Sequence, residues 1–254
     1  MRPLHELDPV GRFSDRARDY VTYRPSYPAA AIDAILRGLG PPEQITAADV
    51  GAGTGISARL LGDRGVRVSA VEPGRGMREA ASPHPHVEWV DGMAEATGLP
   101  SQSVDLVLCA QSFHWFRPAD ALMEFSRILT ANGRLTLMWN RRSKIDPLTA
   151  GFRQAIHDVG GEAQIEQVEF DPGVITESGL FLPPKRLSFP NEQRLDRDGL
   201  IGRARSASYV PKAGPAGEHL IELLGALHSQ YADPDGFVTL VYETEAYIIE
   251  SLGH

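Results

Sequence analysis

The sequence predicts an α/β protein, a doubly wound and mostly parallel sheet with helices on both faces. Three observations carry that expectation. Between Ile45 and Trp139, short apolar runs alternate with longer amphipathic stretches, as strand and crossover helix alternate in a parallel sheet. A loop with glycines at alternate positions, Gly51-Ala52-Gly53-Thr54-Gly55, stands where the first apolar run meets the first amphipathic one. Hydrophobic residues make up 42% of the 254 positions and charged residues 23%, which supports a real core and argues against a disordered or fibrous chain.

In chain order, residues 1–44 hold a polar start, an aromatic and arginine cluster from Phe13 to Tyr27, and a helix pattern from Ala29 to Leu39 that Gly40-Pro41-Pro42 ends. They predict an N-terminal helical cap on the sheet. A strand from Thr46 to Val50 leads through the glycine loop into a helix from Ile56 to Arg64, with Leu60 and Leu61 apolar and Gly65 as terminator. Strands are expected at Arg67 to Val71, Val87 to Val90 and Val104 to Ala110. The clearest helix runs from Ala119 to Leu129, because Leu122, Phe125 and Leu129 fall three and four apart while Asp120, Glu124 and Arg127 fall elsewhere. Asn132-Gly133 then supplies a turn into a fifth strand ending at Trp139. Five strands joined by crossovers in so short a span imply right-handed connections and a double winding.

Beyond Arg141 the pattern is irregular. Pro147, Pro172, Pro183, Pro184 and Pro190 read as breaks, leaving short helices, loops and one strand near Arg186 to Phe189. A helix from Glu218 to Tyr231 and a strand from Phe237 to Tyr242 complete seven strands. The expected organisation is one domain over 1–254: a cap or lid (1–44), a ligand-binding core (45–140), a variable substrate-side segment (141–210), and a closing helix and strand (211–254).

With 25 basic and 33 acidic side chains the net charge is -8, so no long-range attraction draws the chain to nucleic acid or anionic lipid. Neither partner is expected, and oligomeric state is left open. The single Cys109 excludes an internal disulfide and a cysteine-rich zinc site, and within an apolar strand it reads as a small core residue. The N-terminus lacks a basic segment followed by an apolar core, and no run is long enough to span a membrane, which together predict a cytoplasmic protein. His84-Pro-His86 has no evident carboxylate partner nearby and reads as a surface loop, so no metal is expected. Arg134, Arg141, Arg142 and Lys144 read as a solvated rim. Gly55-Ile-Ser57-Ala-Arg59 lacks the closing glycine of a nucleophile elbow, and no Gly-Lys-Ser/Thr phosphate-binding signature occurs.

The glycine loop, with a helix start behind it, implies a nucleotide-like ligand. Gly53-x-Gly55-x-x-Ala58 also satisfies the loose dinucleotide fingerprint. Glu72, 17 positions after Gly55, ends the second strand where an acid accepts hydrogen bonds from ribose hydroxyls. Both nicotinamide dinucleotide and S-adenosylmethionine fit so far. Asp49 favours the second, because it puts a carboxylate where a dinucleotide would bring its diphosphate. Like charges about 4 Å apart repel by roughly 4 kcal/mol at an effective dielectric of 20. A sulfonium and an ammonium would instead attract it.

The ordered series from Tyr20 to Trp139 resembles the class I S-adenosylmethionine-dependent methyltransferases, the type 11-like group. Asp49 leads Gly51, Ala52, Gly53, Thr54 and Gly55, which the resemblance assigns to the methionine part of the cofactor. Glu72-Pro73-Gly-Arg-Gly-Met77 is similar to the second motif, with the acid on the ribose and the Met near the adenine. Asp91-Gly92-Met93-Ala94-Glu95 is similar to the third, whose Gly92, Met93 and Ala94 would flank the adenine. Ser103 to Phe116, with Gln111 at its turn, resembles the fourth strand and the loop where cofactor and acceptor meet. A narrower resemblance, through Phe13-Ser14 to Tyr20, Arg24-Pro25-x-Tyr27-Pro28 and Phe113-His-Trp-Phe116, is to a small-molecule branch that includes trans-aconitate methyltransferase-like proteins. The implied fold is Rossmann-like. The implied activity is methyl transfer to a small organic acceptor, giving S-adenosylhomocysteine.

Methyl transfer from a sulfonium is an in-line displacement that needs alignment more than a strong base. His114, at the end of the fourth strand, is the candidate base or positioning residue. Phe113 and Trp115, with Phe116, are candidates for an apolar acceptor pocket or lid. Tyr20 and Tyr23 are candidates for a substrate-side lid, and Arg24 for a partner to a carboxylate of cofactor or substrate. The competing readings are an NAD(P)-dependent oxidoreductase, and a non-catalytic S-adenosylmethionine-binding protein of the same fold.

Overall fold

The structure is a computed structural model that describes residues 21–159, 170–207, 210 and 213–252. Tyr20 and the Phe13 to Tyr20 part of the N-terminal cluster lie outside the described residues. Seven strands form one sheet: β1 (Thr46–Val50), β2 (Arg67–Val71), β3 (Val87–Val90), β4 (Val104–Ala110), β5 (Leu129–Arg142), β6 (Lys185–Leu195) and β7 (Val238–Glu250). Their order is β3-β2-β1-β4-β5-β7-β6, parallel from β3 to β5, with β7 antiparallel to both β5 and β6. The helices packed on the sheet are α1 (Ala29–Leu36), α2 (Ile56–Gly62), α3 (Arg75–Ala80), α4 (Pro118–Ile128), α5 (Pro147–Val159), α6 (Gly173–Glu177), α7 (Arg197–Arg205) and α8 (Gly214–Tyr231).

Burial follows the sequence pattern. Strand β4 reads Val-Asp-Leu-Val-Leu-Cys-Ala and is covered on both faces, as the apolar run of a central parallel strand requires. On one face Leu122, Phe125 and Ile128 of α4 pack with Val107, Cys109, Leu135 and Leu137. On the other, α1 and α2 place Ile32, Ile35, Ala58 and Leu61 against Leu106, Leu108 and Val68. A third cluster joins α5, α7 and α8 to the first half of β7 through Phe152, Leu200, Leu224 and Leu240. No described helix is long and apolar enough to cross a membrane.

Several expectations need correction. Pro147 does not break structure: it opens α5, and Asp146 before it accepts from the Thr149 N–H at 2.8 Å. A side-chain acceptor followed by proline is a helix start, since proline's missing N–H would have no helical partner there anyway. Pro190 lies inside β6, where it is tolerated because β6 is the sheet's edge strand. Asn132-Gly133 is not a separate turn but part of β5, taken up in a register shift opposite Val104 and Leu106.

The basic rim dissolves as well. Arg134 is buried at the start of the sheet, far along β5 from Arg141 and Arg142. Its Nη1 donates to the carbonyls of Ile35 (2.7 Å) and Arg37 (2.9 Å) at the end of α1, and its Nη2 reaches Glu250 at 2.8 Å. One guanidinium thus satisfies the open carbonyls of a helix end and ties α1, β5 and β7 together. Arg134→Met should cost about 2 to 3 kcal/mol, because one buried and one partly buried carbonyl lose their donor and Glu250 its cation. A urea titration would register this as a lower midpoint with unchanged slope; an unshifted midpoint would show that the tie carries no net stability.

Candidate functional site

The strand order reverses at β1. The chain winds from β1 outward through β2 and β3, then crosses to β4 and β5 on the other side. Open parallel sheets bind ligands outside the carboxyl ends of the strands at such a reversal. Around it stand the glycine loop after β1, Glu72 to Gly74 after β2, Asp91 to Ala94 after β3, Gln111 to His114 after β4, and Asn140 near the end of β5.

Glycine is required in the loop by both torsion and space. Gly51, Gly53 and Gly55 have φ of 68°, 58° and 75°. A Cβ on Gly51 would stand 2.6 Å from the Ser112 Cβ. That closeness is fixed by the Ser112 hydroxyl, which donates to the Val50 carbonyl at 2.7 Å and so holds the loops after β1 and β4 together. The N–H groups of Gly51 and Ala52 both turn back to the Val71 carbonyl.

Glu72 is buried and clamps two loops. Its Oε2 accepts from the Gly53 N–H at 2.9 Å and its Oε1 from the Gly74 N–H at 2.8 Å. Burial raises its pKa, and these two bonds oppose the rise. Asp49 has no exposure at all. Its Oδ2 accepts from the Ser57 hydroxyl at 2.7 Å, while its Oδ1 has no hydrogen-bond partner. Desolvation pushes its pKa up to about 7, with the charge of Glu72 adding to the rise. The buried Thr54 hydroxyl is likewise unpartnered. Two orphaned polar atoms at a glycine loop are what a polar ligand or ordered water would satisfy.

The other side of the crevice is a turn of defined shape. Met93 and Ala96 exchange backbone hydrogen bonds of 3.1 Å in both directions, which leaves Met93 50% exposed and Ala94 buried. Gly92 is needed because a Cβ there would meet the Thr97 carbonyl at 2.6 Å. Thr97 is held in turn by Glu124 of α4, to which its N–H donates at 2.8 Å and its hydroxyl at 2.5 Å. Met77, on α3, is buried next to the Gly74 turn.

At the end of β4, Gln111 adopts φ 58°, a left-handed conformation that costs a non-glycine residue on the order of 1 kcal/mol or more. Its N–H bonds the Met138 carbonyl at 2.8 Å, which holds the bend. The bend sends the chain into the single turn Phe113–Trp115. Within it Phe113 points into the core, edge-on to Phe116 and to Phe170, so it backs the pocket rather than lining an open surface. His114 faces Trp139, whose indole Nε1 donates to His114 Nδ1 at 3.3 Å. Burial and the nearby Arg141 and Arg24 guanidinium groups depress the His114 pKa to about 3. These surroundings disfavour the charged imidazolium.

Arg24 donates to the Ser206 carbonyl at 3.1 Å and lies close enough to act on His114. Tyr23 is drawn elsewhere: its ring packs over Gly202 of α7, where a glycine lets an aromatic ring approach helix backbone, and its carbonyl accepts from Gln193. Tyr20 is outside the described residues. Sequence reasoning missed the aromatic group behind His114. Trp139 stacks on Phe170 at 5.2 Å and meets Tyr247 edge-on at 5.8 Å. Trp139 was findable as the residue at the carboxyl end of the fifth strand; Phe170 and Tyr247 arrive from remote segments with no local signal.

Comparison with known proteins adds an independent line. Residues 48–137 match a family model described as a methyltransferase domain. An uncharacterised methyltransferase of Schizosaccharomyces pombe is 33% identical over 195 residues, covering 73% of this chain and 78% of that protein. An uncharacterised methyltransferase of Mycobacterium bovis is 40% identical over 133 residues, and there the match spans only about half of each chain, 52% and 53%. Among solved structures, a candidate type II methyltransferase from Anaeromyxobacter dehalogenans superposes with a TM-score of 0.66 at 25% identity, over 91% of this chain and 100% of that one.

The burial of Asp49 makes a pH prediction. Its folded-state pKa, about 7, lies above its unfolded value, so between roughly pH 4 and 7 the folded protein binds more protons than the unfolded chain. The contribution of Asp49 to stability therefore falls as pH rises through that window. Asp49→Asn carries no such titration, so its stability relative to the parent should improve from pH 5 to about pH 7 and level off towards pH 8. Parallel urea titrations across that range would check it; a constant difference would mean that Asp49 ionises normally.

Proposed function

The chain belongs to the methyltransferase family, and from that premise we propose that it transfers a methyl group from S-adenosylmethionine to a small organic acceptor, releasing S-adenosylhomocysteine. The observation that carries this reading is the pair of buried carboxylates, Asp49 and Glu72, on either side of a glycine loop whose buried Asp49 Oδ1 and Thr54 hydroxyl lack partners. A dinucleotide would add its diphosphate charge to that pair. A ligand carrying an ammonium and a sulfonium would offset it.

When bound, S-adenosylmethionine supplies a methyl group already activated on a sulfonium. The work left to the chain is to bind, orient and dry the site. In this reading Gly51, Ala52, Gly53, Thr54 and Gly55 enclose the methionine part, with Asp49 beneath them. Glu72 uses the lone pairs left after its two backbone bonds to hold the ribose, with Pro73 and Met77 beside it. Gly92, Met93 and Ala94 flank the adenine, which would cover the apolar surface that Met93 exposes. Arg24 and Gln111 stand on the methionine side, towards the acceptor. His114 and Trp115 face the acceptor, and Phe113 backs the wall behind them.

Isothermal titration calorimetry with S-adenosylhomocysteine, with NADH as matched control, tests the reading. Micromolar binding of the former alone is expected, and binding of NADH alone would replace it with the oxidoreductase reading. Glu72→Gln should weaken S-adenosylhomocysteine binding by about 10- to 100-fold through loss of charge-assisted hydrogen bonds. Unchanged affinity would remove Glu72 from the site.

A further inference from the structure

The acceptor side of the site contains a contact that decides what His114 can do. An indole N–H donates and cannot accept, so the nitrogen it faces must bear a lone pair. Trp139 Nε1 lies 3.3 Å from His114 Nδ1, which makes Nδ1 the acceptor and leaves the ring proton on Nε2. The indole cannot easily turn away. It is 4% exposed, stacked on Phe170 and crossed edge-on by Tyr247. The backbone that carries the imidazole is fixed in its turn by Trp115 N–H to the Ser112 carbonyl at 2.9 Å and Phe116 N–H to the Phe113 carbonyl at 3.1 Å.

The charged groups around this ring act in the same sense. Arg24 of the N-terminal segment and Arg141 of β5 both bring positive charge to it. The carboxylate behind Arg141, Glu245 of β7, is held by Arg141 at 3.4 Å and by Arg186 at 2.8 Å, and accepts from the Tyr247 hydroxyl. A second proton on His114 would set an N–H against the indole N–H and add a third cation to this corner.

Building on the proposed methyl transfer, we propose that Trp139 is a positioning residue that locks His114 in the Nε2–H tautomer, so that His114 meets the acceptor as a hydrogen-bond donor and the acceptor's nucleophilic atom must enter already free of a proton. The nucleophile then forms its bond to the methyl carbon while the sulfonium keeps the electron pair of the bond that breaks, and no proton passes through His114. An acceptor whose nucleophile is still protonated finds a donor facing it.

The test is nitrogen NMR of the full chain labelled with ¹⁵N-histidine, the His114 signals being assigned by their loss in His114→Asn. The parent protein should show the Nε2–H tautomer alone, unchanged from pH 5.5 to pH 8. In Trp139→Phe, Nδ1 loses its donor, so the Nδ1–H tautomer should appear beside Nε2–H across the same pH range. A parent spectrum with Nδ1–H, or with a midpoint between pH 6 and 7, would overturn the proposal, as would a variant indistinguishable from the parent. If Trp139→Phe does not fold, the parent protein labelled with both ¹⁵N-tryptophan and ¹⁵N-histidine decides the matter: a nitrogen–nitrogen coupling between the Trp139 indole and His114 Nδ1 supports the lock, and its absence refutes it. Calorimetry with S-adenosylhomocysteine on the same samples keeps the two questions apart, because a failed lock leaves cofactor binding intact.

Discussion

A buried carboxylate that accepts from the N–H groups of two different loops fixes the distance between those loops, and Glu72 does this for Gly53 and Gly74. Everything at the carboxyl ends of β1 and β2 is built around that clamp. Gly51 and Ala52 are pulled against the end of β2 by the Val71 carbonyl, and Ser112 brings the end of β4 up to the same loop. Three strand ends are thereby held to one another by side-chain and backbone bonds in addition to the sheet ladder. The loop's shape is therefore set before any ligand arrives, which is how a site reduces the ordering cost of binding.

The clamp has an electrostatic counterpart. Asp49 and Glu72 each raise the cost of ionising in a dry environment, and the charge of Glu72 adds to the burden on Asp49. Two buried acids side by side make a poor stability device, since desolvation outweighs what their hydrogen bonds return. They make a good receptor for positive charge, because a cation entering the site offsets both. The protein's overall charge of -8 has no part in this, since exposed charges are screened within about 8 to 10 Å at ordinary salt while these two are not.

What could be read from the sequence was whatever is encoded locally. The strands β1 to β4 were expected with the ends they have, because apolar runs bounded by turn residues carry their own limits. The glycine loop and Glu72 were legible for the same reason, each being a short motif next to a strand end, whereas Gly92, Met93 and Ala94 were singled out by the resemblance alone. Helix α5 was missed although Leu148, Phe152, Ala155 and Ile156 repeat at helical spacing, because Pro147 was read as a break when its place after Asp146 marks a start. Strand β7 was foreseen only to Tyr242, yet it continues to Glu250, because its second half, Glu-Thr-Glu-Ala-Tyr-Ile-Ile-Glu, has no clean apolar alternation and depends on β5 and β6 to fix its register. Arg134 looked like a surface charge because nothing in its neighbourhood along the chain announces the helix end it caps.

The same distinction separates the two halves of the site. The proposed cofactor half is made of residues that lie within a few positions of a strand end, so their places follow from where the strands stop. The proposed acceptor half is assembled from Arg24, His114, Trp139, Phe170 and Tyr247, which the fold collects from five separate stretches of chain. A histidine at a strand end in such a pocket invites the role of general base. Its chemistry is set instead by an indole on the neighbouring strand and by two guanidinium groups, none of which is close to it in sequence. Proximity along the chain identifies the residue, and packing across the sheet determines which of its nitrogens carries the proton.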